Sequence, residues 1–310
     1  MNHLAPAASR AAIHTLGCRL NQADSALIAD DLNRAGFTIC GWDEPADLYV
    51  INSCTVTAAA AQKTRQAARA VRRRQPRAFI VLAGCEAELT AADTLWQGVV
   101  DLIVPNADKT RLSRLLPEYL CGGSAAPPEA ATGATPTTPD SFTEPGCGLY
   151  PARTRANLKI QEGCDFFCSY CIVPHVRGRP RSRVWEDVLR EARELVDRGH
   201  QEIVLTGVNI ACYQDRGRTL TDLLAGLLDA TDGVRFRLSS TEPGAELPGL
   251  IELMSQSPRI CRFLHLPLQY GEDTILKAMN RRYTVDAYRR WAALGADAVR
   301  AFLMFIGPWE

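Results

Sequence analysis

At 310 residues the chain exceeds the usual size of one domain, and an apolar content of 46% can fill a core in each of two. Lys plus Arg and Asp plus Glu both number 35, which excludes a global attraction to polyanions and leaves only locally clustered charge for any nucleic-acid contact. No run of about 18 apolar residues exists to span a membrane, and Met1–Arg10 lacks a basic segment followed by an apolar one, so the protein reads as cytoplasmic, with no membrane partner.

The expected fold class is α/β. In the N-terminal part, strand and helix signals alternate: a strand over Ala11–Leu16, a helix over Ala23–Ala35, a strand over Leu48–Ile51, a helix over Ala58–Arg74 and a strand over Phe79–Leu82. A further helical stretch precedes Val99–Val104. Strands spaced by helices imply an open, mostly parallel sheet, here assigned to a domain over 11–120. Cys18, Cys54 and Cys85 each follow one of the first three strands, so all three should emerge on one rim, where ligands of such sheets gather. Two of them sit directly after Gly, which lets backbone or cofactor come close. Three thiolates without a fourth suit an iron–sulfur cluster with one iron open to an outside ligand. A zinc ion held by three protein ligands and a water is the competing reading. His14, the neighbouring His, points away if Thr15-Leu16-Gly17 stays extended.

From Gly122 to Gly148 the text is rich in Gly, Ala, Ser, Thr and Pro, which predicts a flexible linker over 121–152. The second domain, 153–310, opens with a strand over Asn157–Gln161 and then Gly163-Cys164-Asp165-Phe166-Phe167-Cys168-Ser169-Tyr170-Cys171. This C-x3-C-x2-C loop after a strand resembles the radical S-adenosylmethionine signature. Three thiolates would hold three irons of a 4Fe-4S cluster, and the fourth iron would take the cofactor's amino and carboxylate groups. By the same resemblance Tyr170 lies beside the adenine. A zinc site completed by His175 is the alternative.

Beyond the loop the alternation continues, with a helix over Val184–Arg198 and strands over Glu202–Thr206, Arg235–Ser239, Arg262–Leu266 and Ala301–Ile306. That pattern fits an incomplete (β/α) barrel whose site gathers at the strand C-termini. Glu242, in Ser239-Ser240-Thr241-Glu242, and Gln269, in Leu266-Pro267-Leu268-Gln269, are the expected polar contacts to the cofactor. Eleven cysteines, an odd number, argue for metal chemistry rather than disulfides in a reducing compartment. Cys40, Cys121, Cys147, Cys212 and Cys261 lack such company and read as ordinary small side chains.

The segments His14-Thr15-Leu16-Gly17-Cys18-Arg19-Leu20-Asn21, Ile51-Asn52-Ser53-Cys54-Thr55-Val56-Thr57 and Arg153 to Cys164 carry a wider resemblance. They are similar to the methylthiotransferase family, most of all its threonylcarbamoyladenosine tRNA branch, from about Ile13 to Tyr288 with a gap in the linker. The resemblance implies two 4Fe-4S clusters, one on Cys164, Cys168 and Cys171 and an auxiliary one on Cys18, Cys54 and Cys85. It implies S-adenosyl-L-methionine as cofactor, the tRNA anticodon stem-loop as substrate, and an electron donor such as flavodoxin or ferredoxin. One cofactor molecule would methylate sulfur at the auxiliary cluster, and another would yield a 5′-deoxyadenosyl radical that removes hydrogen from carbon 2 of the modified adenine next to the anticodon.

Charge placement agrees with such a substrate. Lys63, Arg65, Arg69, Arg72, Arg73, Arg74 and Arg77 crowd one predicted helix and its exit, and Arg177, Arg179, Arg181 and Arg183 alternate after the cluster loop. If extended, that second segment presents four guanidiniums on one side, suited to phosphates; structural salt bridges are the alternative. Three departures from the family text stand out. Tyr270 replaces the usual Ser, Glu86-Ala87-Glu88 replaces a common Tyr-Ala-Gln, and Ala301 to Glu310 does not match the family's next strand and loop. The ending reads as a truncated or frameshifted product, which keeps open an inactive cluster-binding remnant; within the enzyme class the alternative substrate is isopentenyladenosine tRNA.

Overall fold

The computed structural model describes residues 9–89, 94–116, 140–150, 153–296 and 300–304. They fall into two compact units, one reaching residue 116 and including Glu144–Leu149, the other comprising 140–143 and Tyr150 onward. The first unit consists of β1 (Arg10–Thr15), α1 (Arg19–Arg34), β2 (Thr38–Cys40), β3 (Leu48–Ser53), α2 (Ala58–Arg74), β4 (Phe79–Gly84), the short α3 (Cys85–Leu89) and β5 (Leu102–Val104). Its strands pair in parallel in the order β2-β1-β3-β4-β5.

Two cores explain why β3 and β4 read as unbroken apolar runs, since both faces of a helix-covered parallel sheet are buried. Leu48, Val50, Val81 and Ala83 pack with Ile28 and Leu32 of α1 on one face. Tyr49, Ile51, Ile80 and Leu82 pack with Ala68 and Val71 of α2 on the other. Each fully buried Ile or Leu stabilises the sandwich by roughly 1.5–3 kcal/mol. Strand β2 has no counterpart in the sequence reading. It has three residues at the sheet edge and none fully buried, so no apolar period announces it.

In the second unit the strands are β6 (Ser141–Phe142), β7 (Arg155–Lys159), β8 (Gln161–Glu162), β9 (Arg181–Arg183), β10 (Glu202–Thr206), β11 (Gln214–Asp215), β12 (Arg218–Thr219), β13 (Arg235–Leu238), β14 (Phe263–Pro267) and β15 (Arg300–Met304). Strands β7, β10 and β13 are parallel neighbours, as are β14 and β15. Parallel bridges from Phe236 to Ile260 and from Ser240 to His265 connect the two groups. Five strands therefore follow one another in chain order. Helices Trp185–Asp197, Leu220–Ala230, Leu247–Gln256 and Val285–Ala296 lie between them in sequence. This is an arc of a (β/α) barrel, with no closed barrel among the described residues.

Of the expected linker, 121–139, with Cys121, and 151–152 lie outside the described residues. Its remaining part is not plain connector: Ser141–Phe142 pairs with β9, and Leu149 donates its N–H to the Ala26 carbonyl at 3.0 Å. Among the described residues no helix is long and apolar enough to cross a membrane.

Candidate cluster and cofactor sites

In the first unit the order β2-β1-β3-β4-β5 sends the chain from β1 to one side and from β3 to the other. A crevice opens where such crossovers diverge, at the carboxyl ends of the strands. Cys18 follows β1 and Cys54 follows β3, so they flank this crevice, and Cys85 follows β4, whose Gly84 is in register with Ser53. Cys54 and Cys85 are buried, and Cys18 is exposed at the N-cap of α1. Both flanking glycines are demanded by the backbone. Gly17 has φ +91°, and a Cβ there would lie 2.5 Å from Cys54 Sγ; Gly84 has φ +90°, and a Cβ would lie 2.5 Å from the Ser53 carbonyl oxygen.

Buried polar side chains hold these loops, since an unpaired polar group here would cost about 1–3 kcal/mol. Asn21 donates to the Leu16 and Ser53 carbonyls at 2.8 and 2.7 Å. Asn52 donates to the Asn21 carbonyl at 2.8 Å and to Ser25 Oγ at 2.9 Å. Ser53 Oγ donates to the Ala83 carbonyl at 2.5 Å and accepts the Glu86 N–H at 3.0 Å. Each bracing residue except Ser25 lies within three positions of a cysteine, a signal the sequence held. The two carboxylates that depart from the family text are engaged: Glu86 with Arg65 at 3.2 Å, and Glu88 with the Asn106 N–H at 2.6 Å. His14 is stacked on Trp42 at 4.6 Å.

The second unit presents the Cys164–Cys171 loop directly after β8. Gln161, fully buried, ties this loop to the end of β10: its Nε2 donates to the Glu162 and Gly163 carbonyls, and its Oε1 accepts from the Val208 and Asn209 N–H groups at 3.0 and 2.9 Å. Phe167 takes φ +47°, an outlier for a bulky residue. Asn280 pins it by donating to the Phe166 and Phe167 carbonyls at 2.7 and 3.2 Å, while Arg282 stacks 4.2 Å from the Phe166 ring.

Arg281 connects the loop to the strand ends. Its Nη1 donates to Cys168 Sγ at 3.3 Å and to Tyr170 Oη at 3.4 Å, its Nε donates to Tyr283 Oη at 3.1 Å, and its Nη2 pairs with Glu242. Tyr283 in turn donates to the Pro267 and Leu268 carbonyls at 2.8 Å. Two expected cofactor contacts, Tyr170 and Glu242, thus meet at one guanidinium that the sequence reading did not single out. Gln269 stands apart from it, at φ +70°. Burial pushes Glu242 above the usual carboxylate range, and Arg281 opposes that shift.

The donor set fits an iron–sulfur cluster. Burial raises the Cys164 and Cys171 thiols, and the neighbouring cysteines add to it, a cost removed when thiolates are taken by metal. Amide and guanidinium N–H groups already face sulfur: the Phe166 N–H is 3.5 Å from Cys164 Sγ, and Arg281 faces Cys168. Around one zinc ion, sulfurs would converge to roughly 3.8 Å of one another. A cube takes each cysteine on a different iron and needs no such convergence. His175 is exposed, with its ring 5.9 Å from that of Phe167.

Beside the loop, a cavity of about 110 Å³ is lined by Phe166, Asn209, Cys212, Thr221 and Glu242 over an apolar floor that includes Leu247. Asn209 Oδ1 and Thr221 Oγ1 are buried there without a hydrogen-bond partner among the described residues. A mainly apolar lining that includes the Glu242 carboxylate fits a ligand carrying a cationic amino group. Cys212, read from the sequence as an ordinary small side chain, forms part of this wall. Its sulfur accepts from Asn209 Nδ2 at 3.1 Å, and burial, with Cys164 adding, pushes its thiol up to about 12.

The four alternating arginines are not a phosphate-binding row. Val173–Arg177 is helical, and only Arg181–Arg183 is extended. Arg177 and Arg181 pair with buried Glu162 at 2.8 and 3.1 Å, and fully buried Arg183 pairs with Asp187 at 2.7 Å and with Glu191. Arg179 alone of the four is exposed. The alternation read as one extended segment is broken by the helix, so the four guanidiniums do not share a side. On α2, Arg65, Arg72 and Arg74 are paired with Glu86, Asp101 and Asp43, whereas Lys63, Arg69 and Arg73 are exposed.

Comparison with known proteins agrees with this geometry. A model described as Uncharacterized protein family UPF0004 matches residues 10–105, and the Radical SAM superfamily matches 158–308. The threonylcarbamoyladenosine tRNA methylthiotransferase MtaB of Aquifex aeolicus is 33% identical over 309 residues, covering 94% of this chain and 73% of its own length. The chain belongs to the radical SAM methylthiotransferase family. Within that family, MtaB of Bacillus subtilis is 35% identical, with 89% of this chain and 61% of its own length covered. A tRNA-2-methylthio-N(6)-dimethylallyladenosine synthase of Bacteroides fragilis is 34% identical over the same shares, 89% and 61%. The chain thus spans about three fifths of these two methylthiotransferases. Among solved structures, the radical S-adenosylmethionine methyltransferase TsrM of Kitasatospora setae matches with TM-score 0.66 at 14% identity, over 95% of this chain and 67% of that one. The cobalamin-dependent radical enzyme OxsB matches with TM-score 0.63 at 10% identity, over 96% and 49%. These two share the fold.

Proposed function

We propose that this chain carries the sulfur-insertion and radical units of a tRNA methylthiotransferase acting on N6-threonylcarbamoyladenosine next to the anticodon. The observation that supports this most is the pair of cysteine trios, each at strand ends of its own unit, in a chain 33–35% identical to MtaB proteins. In this reading Cys164, Cys168 and Cys171 hold one 4Fe-4S cluster, and Cys18, Cys54 and Cys85 hold the auxiliary one. When bound, the clusters and S-adenosyl-L-methionine supply the sulfur and the 5′-deoxyadenosyl radical that replace hydrogen at carbon 2 with methylthio.

The chain's own residues do the positioning. Asn209, Thr221 and Glu242 line the cavity that would take the cofactor, and Arg281 holds Glu242 and Tyr170 together. Gln161 keeps the cluster loop and the Gly207-Val208-Asn209 turn in register. The work takes place in the cytoplasm, with electrons from a flavodoxin- or ferredoxin-like donor. Relatives that act on dimethylallyladenosine at similar identity favour that base as the second reading.

Anaerobic reconstitution followed by iron analysis, 5′-deoxyadenosine assay and mass analysis of tRNA nucleosides tests the proposal. Methylthio-threonylcarbamoyladenosine supports it, and the dimethylallyl product moves it to the second reading. Iron without cofactor cleavage leaves a binding remnant, and zinc or no metal in oxygen-protected protein overturns it.

A further inference from the structure

The Cys164–Cys171 loop has a buried cation in contact with its sulfur. Arg281 is 8% exposed, sits 113 residues from Cys168 in sequence, and directs Nη1 at Cys168 Sγ across 3.3 Å. Its other donors reach Tyr170, Tyr283 and Glu242, so the guanidinium is locked from three further directions. Tyr283 is itself held by the carbonyls at the end of β14. An arginine fork held in this way keeps its direction without reorganising.

We infer that Arg281 is a positioning and tuning residue: its N–H···S bond and positive charge set the reduction potential of a cluster bound by the loop, and Glu242 moderates that effect. The physical basis is charge. Reduction transfers one electron from the donor to the cluster, moves no proton, and adds one negative charge spread over iron and sulfur. A cation donating to a ligand sulfur favours the reduced form, so it raises the potential. Glu242 shares the same guanidinium and offsets part of its charge. Loss of Arg281 therefore makes the cluster harder to reduce, whereas loss of the Glu242 charge makes it easier. This inference rests on the cluster reading of the loop and is independent of which base is modified.

Redox titration of the reconstituted full chain, read by the electron paramagnetic resonance of the reduced cluster, tests it. The background carries Cys18→Ala, Cys54→Ala and Cys85→Ala, so that only iron of the Cys164–Cys171 loop responds, and S-adenosylmethionine is left out. Arg281→Gln is expected to shift the midpoint to more negative values at unchanged iron content, Arg281→Lys to shift it less, and Glu242→Gln to shift it the opposite way. Unchanged midpoints, or the same direction for Arg281→Gln and Glu242→Gln, overturn the inference. If Arg281→Gln fails to hold iron, the direction of Glu242→Gln decides: an upward shift supports the inference, and any other result overturns it. A parent that holds no iron overturns the cluster reading as well, which separates the two failures.

Discussion

Arg65 of α2 closes a 3.2 Å ion pair on Glu86, the residue that follows Cys85. Glu86 is 5% exposed, so this pair contributes to balancing a buried carboxylate beside the proposed auxiliary site. Arg65→Ala is expected to destabilise the metal-free protein by about 1–3 kcal/mol, the usual cost of removing a charged hydrogen-bond partner. Adding Glu86→Gln should recover part of it, because the buried carboxylate charge is then removed. Denaturant midpoints of the parent, the two single variants and the double variant measure the coupling.

Gly17 links backbone conformation to the second cysteine. At φ +91° a side chain is strained, and its Cβ would press on Cys54 Sγ. Gly17→Ala should therefore cost about 1–3 kcal/mol of stability. In reconstituted protein it should also lower bound iron from roughly eight to roughly four atoms per chain, the content of one 4Fe-4S cluster. Iron analysis beside a thermal melt separates site loss from unfolding. Full iron content in Gly17→Ala would show that the loop does not shape a site.

The strand-end positions of Cys18, Cys54 and Cys85 were legible because local signals coincided. An apolar strand run, then Gly-Cys or Ser-Cys, places a thiol at a strand end whatever the rest of the chain does, and helix α2 was readable over its whole length from Ala58 to Arg74. What escaped the sequence depends on contacts between distant residues. Arg183 has near partners in Asp187 and Glu191 on the next helix, but its burial also needs Lys159, 24 positions back, whose carbonyl accepts from it at 3.2 Å. Arg281 carried no local mark, since Cys168 and Glu242 lie 113 and 39 positions away. Cys212 gave no motif either, because a cavity wall is assembled from strand ends and has no spacing along the chain.

Histidine burial gives the protein a defined acid response. Burial holds His14 below the ordinary imidazole range, with Arg74 adding to the effect and Asp43 opposing it. His200 and His265 are likewise lowered by burial. For a group lowered on folding, the unfolded chain binds more protons as the medium acidifies. Their stabilisation is thus complete above about pH 6.5 and declines as pH falls toward the folded values. Thermal midpoints at about pH 7.5 and about pH 5.5 should show this drop. His14→Gln should flatten it in part, at the expense of the 4.6 Å stack on Trp42. A drop of equal size in His14→Gln would assign the acid response to other groups.

Arg179 and Arg183, four residues apart, should separate RNA binding from folding. Arg183 is fully buried and ion-paired with Asp187 and Glu191, so Arg183→Ala breaks a buried ion pair and should cost about 3–5 kcal/mol of stability. Arg179 is exposed, and Arg179→Ala should leave the melt unchanged. If the proposed tRNA substrate meets this face, Arg179→Ala weakens anticodon stem-loop binding and reduces the slope of log Kd against log salt by about 1, as loss of one phosphate contact does. Lys63, Arg69 and Arg73, exposed on α2, provide the comparison group on the other unit. A salt series of binding isotherms reads both surfaces. An unchanged slope for Arg179→Ala alongside a reduced one for Arg69→Ala would move the RNA contact from the radical unit to α2.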